Sequence, residues 1–265
     1  MAVTFCAIGS GSNGNCYLIA NEKNKILVDA GFSAKHIAQN LLELGVEPNE
    51  IDGIIVTHEH SDHVSGIRVF CKKHGVPVYA NEKTLAAMMP KLQDVEPRFL
   101  RKFNNGESFY IGTLEIAPFK TPHDSVCSCG FCVYSGNAKI TVATDIGHMT
   151  RGILENLKYS DLLVLESNYD LEMLENGPYS PFLKQRVQGP NGHLSNDLCG
   201  QTVAYLLEFG IKQVLLAHLS EENNTPELAY GTVCQYLNKV GAEDKKDINI
   251  EVLSRNARSK CYRII

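Results

Sequence analysis

An α/β protein, with two sheets flanked by helices, is the fold class this chain predicts, and three observations carry that prediction. Short apolar and β-branched runs recur along the whole length. In the second half they alternate strictly with amphipathic helical stretches. Residues with ligand chemistry stand where the strand patterns end, which is where sites form in layered α/β proteins. Strands that are apolar on both faces need cover on both sides, so helices over the sheets fit best.

In chain order, VTFCAI, CYLIA and KILVDA read as the first strands, separated by turns rich in Gly and Asn. FSAKHIAQNLLELG reads as a helix with Ser33 as its cap and Gly45 as its stop. GIIVTH is a buried-strand signal and VSGIRVFCKKHG a second helix. ESFYI, TLEIAPF, CVYS and KITVATD are further strands. DLLVLES is a buried strand ending in polar residues. LSNDLCGQTVAYLLEFG follows as an amphipathic helix with Leu198, Val203, Leu206 and Leu207 on its apolar side. KQVLLAHLS is a strand, TPELAYGTVCQYLNKV a helix with Pro near its start, and INIEVL the final strand. No low-complexity segment, linker or short-period repeat interrupts this order, so residues 1–265 are expected to form one domain.

Composition excludes several classes. With 265 residues, 44% hydrophobic and 21% charged, the chain has the profile of a soluble globular protein with a substantial core. It has no uncharged apolar run of about 18 residues, so no membrane span is expected. The start, MAVTFCAIGSGSNGN, lacks a basic segment followed by an apolar one, which points to a cytoplasmic protein. The nine cysteines are an odd number in a long chain and read as free buried thiols. Cys127, Cys129 and Cys132 have the spacing C-x-C-x-x-C with no second Cys pair downstream, so free thiols are preferred over a metal or redox role. A net charge of −5 argues against coating of nucleic acid by the whole surface. It leaves room for a local patch: RFLRK, with Arg98, Arg101 and Lys102, and SRNARSKCYR, with Arg255, Arg258, Lys260 and Arg263, are each a phosphate contact or a solvated face.

The strongest signal is VTHEHSDHVSG, which places His58, His60, Asp62 and His63 in the spacing H-x-H-x-D-H between a strand and a helix. A strand-to-loop turn can aim His58 and His60 to one side and Asp62 and His63 to an adjacent position. One cation could scarcely use all four, so two are implied. His123 in KTPHDS, Asp145 in VATDIGH and His218 in LLAHLS recur at other strand ends. Imidazole and carboxylate donors suit Zn²⁺ and, with more oxygen donors, Mn²⁺ or Fe; a carboxylate such as Asp145 can bridge two cations.

This loop, followed by His, Asp and His at strand ends, resembles the metallo-β-lactamase superfamily over essentially the whole chain. The resemblance implies an αββα four-layer sandwich with a dinuclear metal site at the sheet edge. It implies that His58, His60 and His123 hold one metal, that Asp62, His63 and His218 hold the other, and that Asp145 bridges. Asp29 in LVDAG matches the first motif of the family, which orients the ligand loop. Aspartate rather than cysteine at position 145 is similar to the phosphodiesterase, nuclease and thioester-hydrolase branches. There, a hydroxide bridging two metals about 3.5–4 Å apart suits in-line attack on a phosphodiester.

Two features narrow the substrate. Glu166 ends a strand pattern in DLLVLESNYD, and His193 in GPNGHLSN precedes the helix leading to the strand of His218. This order resembles the tRNA 3′-processing endonucleases of the superfamily, in which the matching pair transfers a proton beside the scissile phosphate. Carried over, the resemblance makes Asp62, His193 and Glu166 the catalytic set. His193 would protonate the leaving oxygen or bind the phosphate, and Glu166 would set its tautomer. Taken alone, His193 could equally be a neighbour of a cap formed by Ser195 or Asn196. The chain lacks the long insertion those endonucleases use to grip tRNA. IGSGSNGNCYLI, ILVDAGFS, VYANEKT, GHLSND and LAHLSEENN are instead similar to the arm-less YycJ/WalJ-type group. That implies a 5′-to-3′ DNA exonuclease with a role in mismatch repair. The alternatives are a small-molecule cyclic phosphodiesterase, which the charge of −5 favours, and a thioester or lactone hydrolase, which needs no His193. A non-enzymatic scaffold is disfavoured by the complete ligand set.

In GSGSNGN, Gly9, Gly11 and Gly14 permit positive φ, so the turn reads as a phosphate-binding loop or a tight hairpin, with Ser12 and Asn13 on the rim of the site. His36 reads as a solvated helix residue, His74 as a cation favoured at a helix C-terminus, and His148 as a candidate support for Asp145.

Overall fold

The computed structural model describes residues 2–265. The first half builds β1 (Val3–Gly11), β2 (Gly14–Asn21), β3 (Lys25–Val28), α1 (Ala34–Glu43), β4 (Gly53–Ile55), α2 (Ser61–Val64), α3 (Ile67–His74), β5 (Val78–Asn81), α4 (Glu82–Met88) and β6 (Leu100–Phe103). The second half begins with β7 (Phe109–Ile111), β8 (Leu114–Lys120), β9 (Cys129–Ser135), β10 (Ala138–Ala143), α5 (Arg151–Leu157) and β11 (Leu162–Glu166). It continues through α6 (Leu171–Asn176), α7 (Pro181–Gln188), α8 (Asn196–Leu206), β12 (Gln213–Ala217), α9 (Pro226–Lys239), β13 (Asn249–Val252) and β14 (Tyr262–Ile264).

These strands form two seven-stranded sheets, in the orders β14-β1-β2-β3-β4-β5-β6 and β13-β12-β11-β10-β9-β8-β7. Period-2 alternation explains why the sheets stack. Val3, Phe5 and Ala7 of β1 enter the layer between the sheets, where they meet Leu162 and Val164 of β11, whereas Cys6 and Ile8 face the opposite way. Those outward residues pack under α1, α3 and α4 through Ile37, Leu41, Phe70 and Leu85. Leu163 and Leu165 of β11 pack under α5, α8 and α9 through Ile153, Val203 and Val233. The result is an αββα sandwich. A satellite cluster of Tyr169, Leu174 and Val187, with Tyr179 and Leu183, seats α6 and α7.

Ser33 caps α1 by accepting from the backbone N–H of His36, and Gly45 and Gly75 take left-handed φ of 73° and 70° where α1 and α3 stop. Pro226 stands in the first turn of α9. Two expectations need correction. INIEVL is not the last strand: β14 pairs antiparallel with β1 through Val3↔Ile264 and Phe5↔Tyr262. Leu198 lies on the first turn of α8 with 38% of its surface exposed, outside the apolar stripe. No helix among the described residues is long and apolar enough to cross a membrane.

Candidate active site

Strand exits from both sheets meet at one edge of the sandwich. Asp29 follows β3, His58 follows β4, His123 follows β8, Asp145 follows β10, Glu166 ends β11 and His218 follows β12. Asp29, Asp145 and His218 have φ of 59°, 59° and 57°, a left-handed conformation costing on the order of 1 kcal/mol or more, which surrounding contacts must impose. The H-x-H-x-D-H segment winds into the single turn α2, with His60 at its N-cap position.

Hydrogen bonds commit the Nδ1 atoms of four histidines as donors, which leaves Nε2 available on each ring. His63 Nδ1 donates to Asp29 Oδ2 at 2.7 Å, and Asp29 also accepts from the Thr57 backbone N–H and hydroxyl, each at 2.8 Å. With its own proton on Asp29, Thr57 Oγ1 accepts from His58 Nδ1 at 3.0 Å. His123 Nδ1 donates to the Gly192 carbonyl at 3.0 Å, and His218 Nδ1 to Glu166 Oε1 at 3.0 Å. The liberated nitrogens converge. Donor atoms of His58, His60 and His123 lie within 4.8 Å of one another, and so do those of Asp62, His63 and His218. Asp145 stands between the groups, Oδ2 3.3 Å from His63 Nε2 and Oδ1 3.6 Å from His123 Nε2.

Two buried atoms here, His58 Nε2 and Asp145 Oδ2, have no hydrogen-bond partner. Buried polar atoms are rarely left so, and a divalent cation would satisfy both. The charges agree. Burial opposes ionisation of Asp145, but the imidazoles of His218 and His63 overcome it and hold the carboxyl well below the usual range. Burial alone would lower His218, yet Asp145, Asp62 and Glu166 push it up to about 10. Burial, aided by His63, drives His58 well below its ordinary value. The set therefore fits a divalent cation in place of protons.

Glu166 is completely buried and serves two histidines. Oε1 accepts from His193 Nδ1 at 2.7 Å as well as from His218, and Oε2 accepts from the backbone N–H groups of Ile146 at 2.7 Å and Leu194 at 3.1 Å. The side chain of His193 is 22% exposed and lines a cavity of about 220 Å³ with His60, Asp62, His123, Asp145 and His218.

The turn GSGSNGN is a tight β1–β2 hairpin with Gly11 opposite Gly14. Its glycines do not use positive φ. They make room instead, because a Cβ on Gly9 or Gly14 would strike the ring of Phe32 and one on Gly11 the side chain of Arg255. Ser12 lines the cavity, whereas exposed Asn13 bonds Glu221 at 2.6 Å and so pins the loop. Asn15, which sequence reasoning passed over, is buried 3.2 Å from His63 Nε2. Thr57, Asn168, Asp124 and Arg186 were likewise missed. Only Thr57 and Asn168 carried a signal, their places beside His58 and in LESNYD.

Other expectations change. His148 is exposed, bonds the Pro190 carbonyl at 2.7 Å and does not reach Asp145. His74 is partly buried, and that burial, with Lys73 beside it, lowers its pKa instead of favouring a cation. His36 is half-buried against the Phe32 ring. Cys127, Cys129 and Cys132 form no ligand cluster among the described residues; the last two are buried in β9 and all nine cysteines are free. Arg98 and Lys102 pair with Glu96 and Glu82, and Arg258 and Lys260 with Glu43 and Glu251. Arg255 alone of these two basic runs reaches the site, donating to the Ser220 carbonyl at 2.6 Å.

Residues 9–184 match the family model of the metallo-β-lactamase superfamily, and the chain belongs to that superfamily. Within it, the chain is 37% identical over 238 residues to exodeoxyribonuclease WalJ of Streptococcus pneumoniae (strain D39), covering 88% of this chain and 87% of that protein. It is 35% identical over 243 residues to exodeoxyribonuclease YycJ of Bacillus anthracis, covering 91% of each. The metallo-β-lactamase fold protein YhfI from Bacillus subtilis superposes with a TM-score of 0.72 at 16% identity, covering 99% of both chains, which supports the fold. Family and residue set together define a metal-dependent hydrolase.

Proposed function

We propose that this chain is a two-metal phosphodiesterase that degrades DNA as a 5′-to-3′ exonuclease, with a place in mismatch repair. The observation that carries the reading is the His193–Glu166 pair at 2.7 Å beside the clustered donors. A phosphodiester needs its alkoxide leaving oxygen protonated or its phosphate held, whereas thioester hydrolysis, which expels a thiolate, needs no such pair. In this reading His58, His60 and His123 would hold one divalent cation, Asp62, His63 and His218 would hold a second, and Asp145 would serve both. Zn²⁺ or Mn²⁺ suits these donors, with Fe also compatible. The bound cations would supply activated water and neutralise charge building on the phosphate.

The chain's own residues do the rest. Asp29 and Thr57 fix the rings of His63 and His58. Glu166 holds the Nδ1 proton of His193, so Nε2 is the atom that meets the substrate; the imidazolium gives its Nε2 proton to the leaving oxygen and remains as the Nδ1–H ring on Glu166. The cavity, about 220 Å³, is smaller than the roughly 300–1,000 Å³ of pockets that engulf a ligand. That size suits a substrate whose reacting end enters while the rest stays outside, as does the likeness to two exodeoxyribonucleases. The net charge of −5 favours a second reading, a small-molecule phosphodiesterase.

Digestion of 5′- and 3′-end-labelled single-stranded and duplex DNA with Mn²⁺ separates the two. Early release of the 5′ label is the expected result, with Asp62→Ala inactive. Inertness on DNA combined with turnover of cyclic nucleotides would overturn the nuclease reading in favour of the second.

A further inference from the structure

Phe182, in the first turn of α7, is 78% exposed, more than any other large apolar side chain among the described residues except Ile265 at the C-terminus. It plays no part in seating its helix, because Leu183 and Val187 fill that role against the satellite cluster. Phe182 lines a second cavity, of about 270 Å³, together with Asp124, Gln185, Arg186, Pro190 and Asn191. Asp124 and Arg186 line the reaction cavity as well, so the two spaces adjoin. Arg186 binds Asp124 through Nε alone, and its terminal amino groups make no hydrogen bond among the described residues. That pair cancels the one acidic charge of the cavity wall, leaving an aromatic face and free guanidinium donors beside the reaction cavity of an acidic protein.

We infer that Phe182 and Arg186 form a nucleotide subsite next to the reaction cavity, Phe182 stacking on the base beside the scissile phosphate and Arg186 holding that nucleotide's own phosphate. An exposed aromatic ring joined to a cation is how single strands are gripped without regard to sequence. The subsite rests on the nuclease reading above. It adds the positioning of the strand outside the small reaction cavity.

Steady-state kinetics of the metal-loaded protein on single-stranded DNA test it. Phe182→Ala raises KM for DNA about tenfold, the size of one base–aromatic stack, and the loss shows in KM, not kcat. Phe182→Trp restores KM. An abasic nucleotide, scanned across the positions flanking the scissile bond, raises the wild-type KM by a similar factor at one position and adds nothing further in Phe182→Ala. Arg186→Gln flattens the salt dependence of DNA binding by about 0.7 in log–log slope. A wild-type protein that degrades DNA while Phe182→Ala keeps its KM within twofold overturns the subsite alone. A wild-type protein inert on DNA overturns the nuclease reading, and the subsite with it.

Discussion

Glu166 accepts four hydrogen bonds, two from backbone N–H groups and two from imidazoles, so every lone pair on its buried carboxylate is engaged. Replacing it by Gln turns one oxygen into an NH₂ that faces either the backbone donors or the two rings. His218 then loses its orientation along with His193. Glu166→Gln is therefore expected to weaken metal affinity about 10–100-fold and to lower turnover together. His193→Ala removes none of the seven proposed ligands, although His193 Nδ1 lies 3.8 Å from Asp145 Oδ1, and should keep two metals per chain while losing about 10²–10⁴ in turnover. Metal content by mass spectrometry alongside the rate tells the two apart, and loss of metal from His193→Ala would refute the role given to His193. The clustering of the H-x-H-x-D-H loop was legible because its four donors fall within a span of six residues. The second duty of Glu166 was not, since the His218 that shares its oxygen is 52 residues away and only the parallel pairing of β11 with β12 brings them together.

The turn α2 owes its position to two glycines that sit where a side chain cannot. A Cβ on Gly31 would lie 1.7 Å from the Asp62 carbonyl, and one on Gly66 2.1 Å from the Phe32 carbonyl. Between them, Ala30 donates to the His63 carbonyl and accepts from the Gly66 N–H, both at 2.8 Å, which stitches α2 to the end of β3. Gly31→Ala must push the Asp62 backbone away from its partners. A loss of about 1–3 kcal/mol in urea unfolding is expected, with a fall in turnover of at least about 100-fold from a misplacement near 1 Å. Full activity in that variant would show that α2 has slack. Elements of this length divide into those a sequence reveals and those it hides. α1 was legible from Ser33 and Gly45, and α9 from Pro226 near its start. α5, α6 and α7 run only seven, six and eight residues, too short for a 3.6-residue period to stand out, so the wall of the site went unread.

On the scale of the whole molecule, the layering followed from alternation, but which sheet each strand joins did not. β14 returns to pair with β1 although β13 belongs to the other sheet, a choice no local pattern records. The meeting of strand exits gathers Asp29, Asp62, Asp145 and Glu166 among six histidines, all of them buried except the partly exposed His60, Asp62 and His193. Without cations, the cluster balances its carboxylates by protonating rings such as His218, whose pKa rises from 6.5 to about 10 on folding. A raised histidine adds stability that is complete below the unfolded pKa and fades as pH climbs through the folded one. Chelated protein should therefore lose melting temperature between about pH 6.5 and 10. Metal-loaded protein should not, because cations replace those protons and bind more tightly as the rings deprotonate. Each cation at a free concentration 100 times its Kd adds about 2.7 kcal/mol, so the gap between the two melting curves should widen steadily with pH. Coincident curves at every pH would mean that this edge holds no cation in the folded protein, and the hydrolase would need another source of its nucleophile.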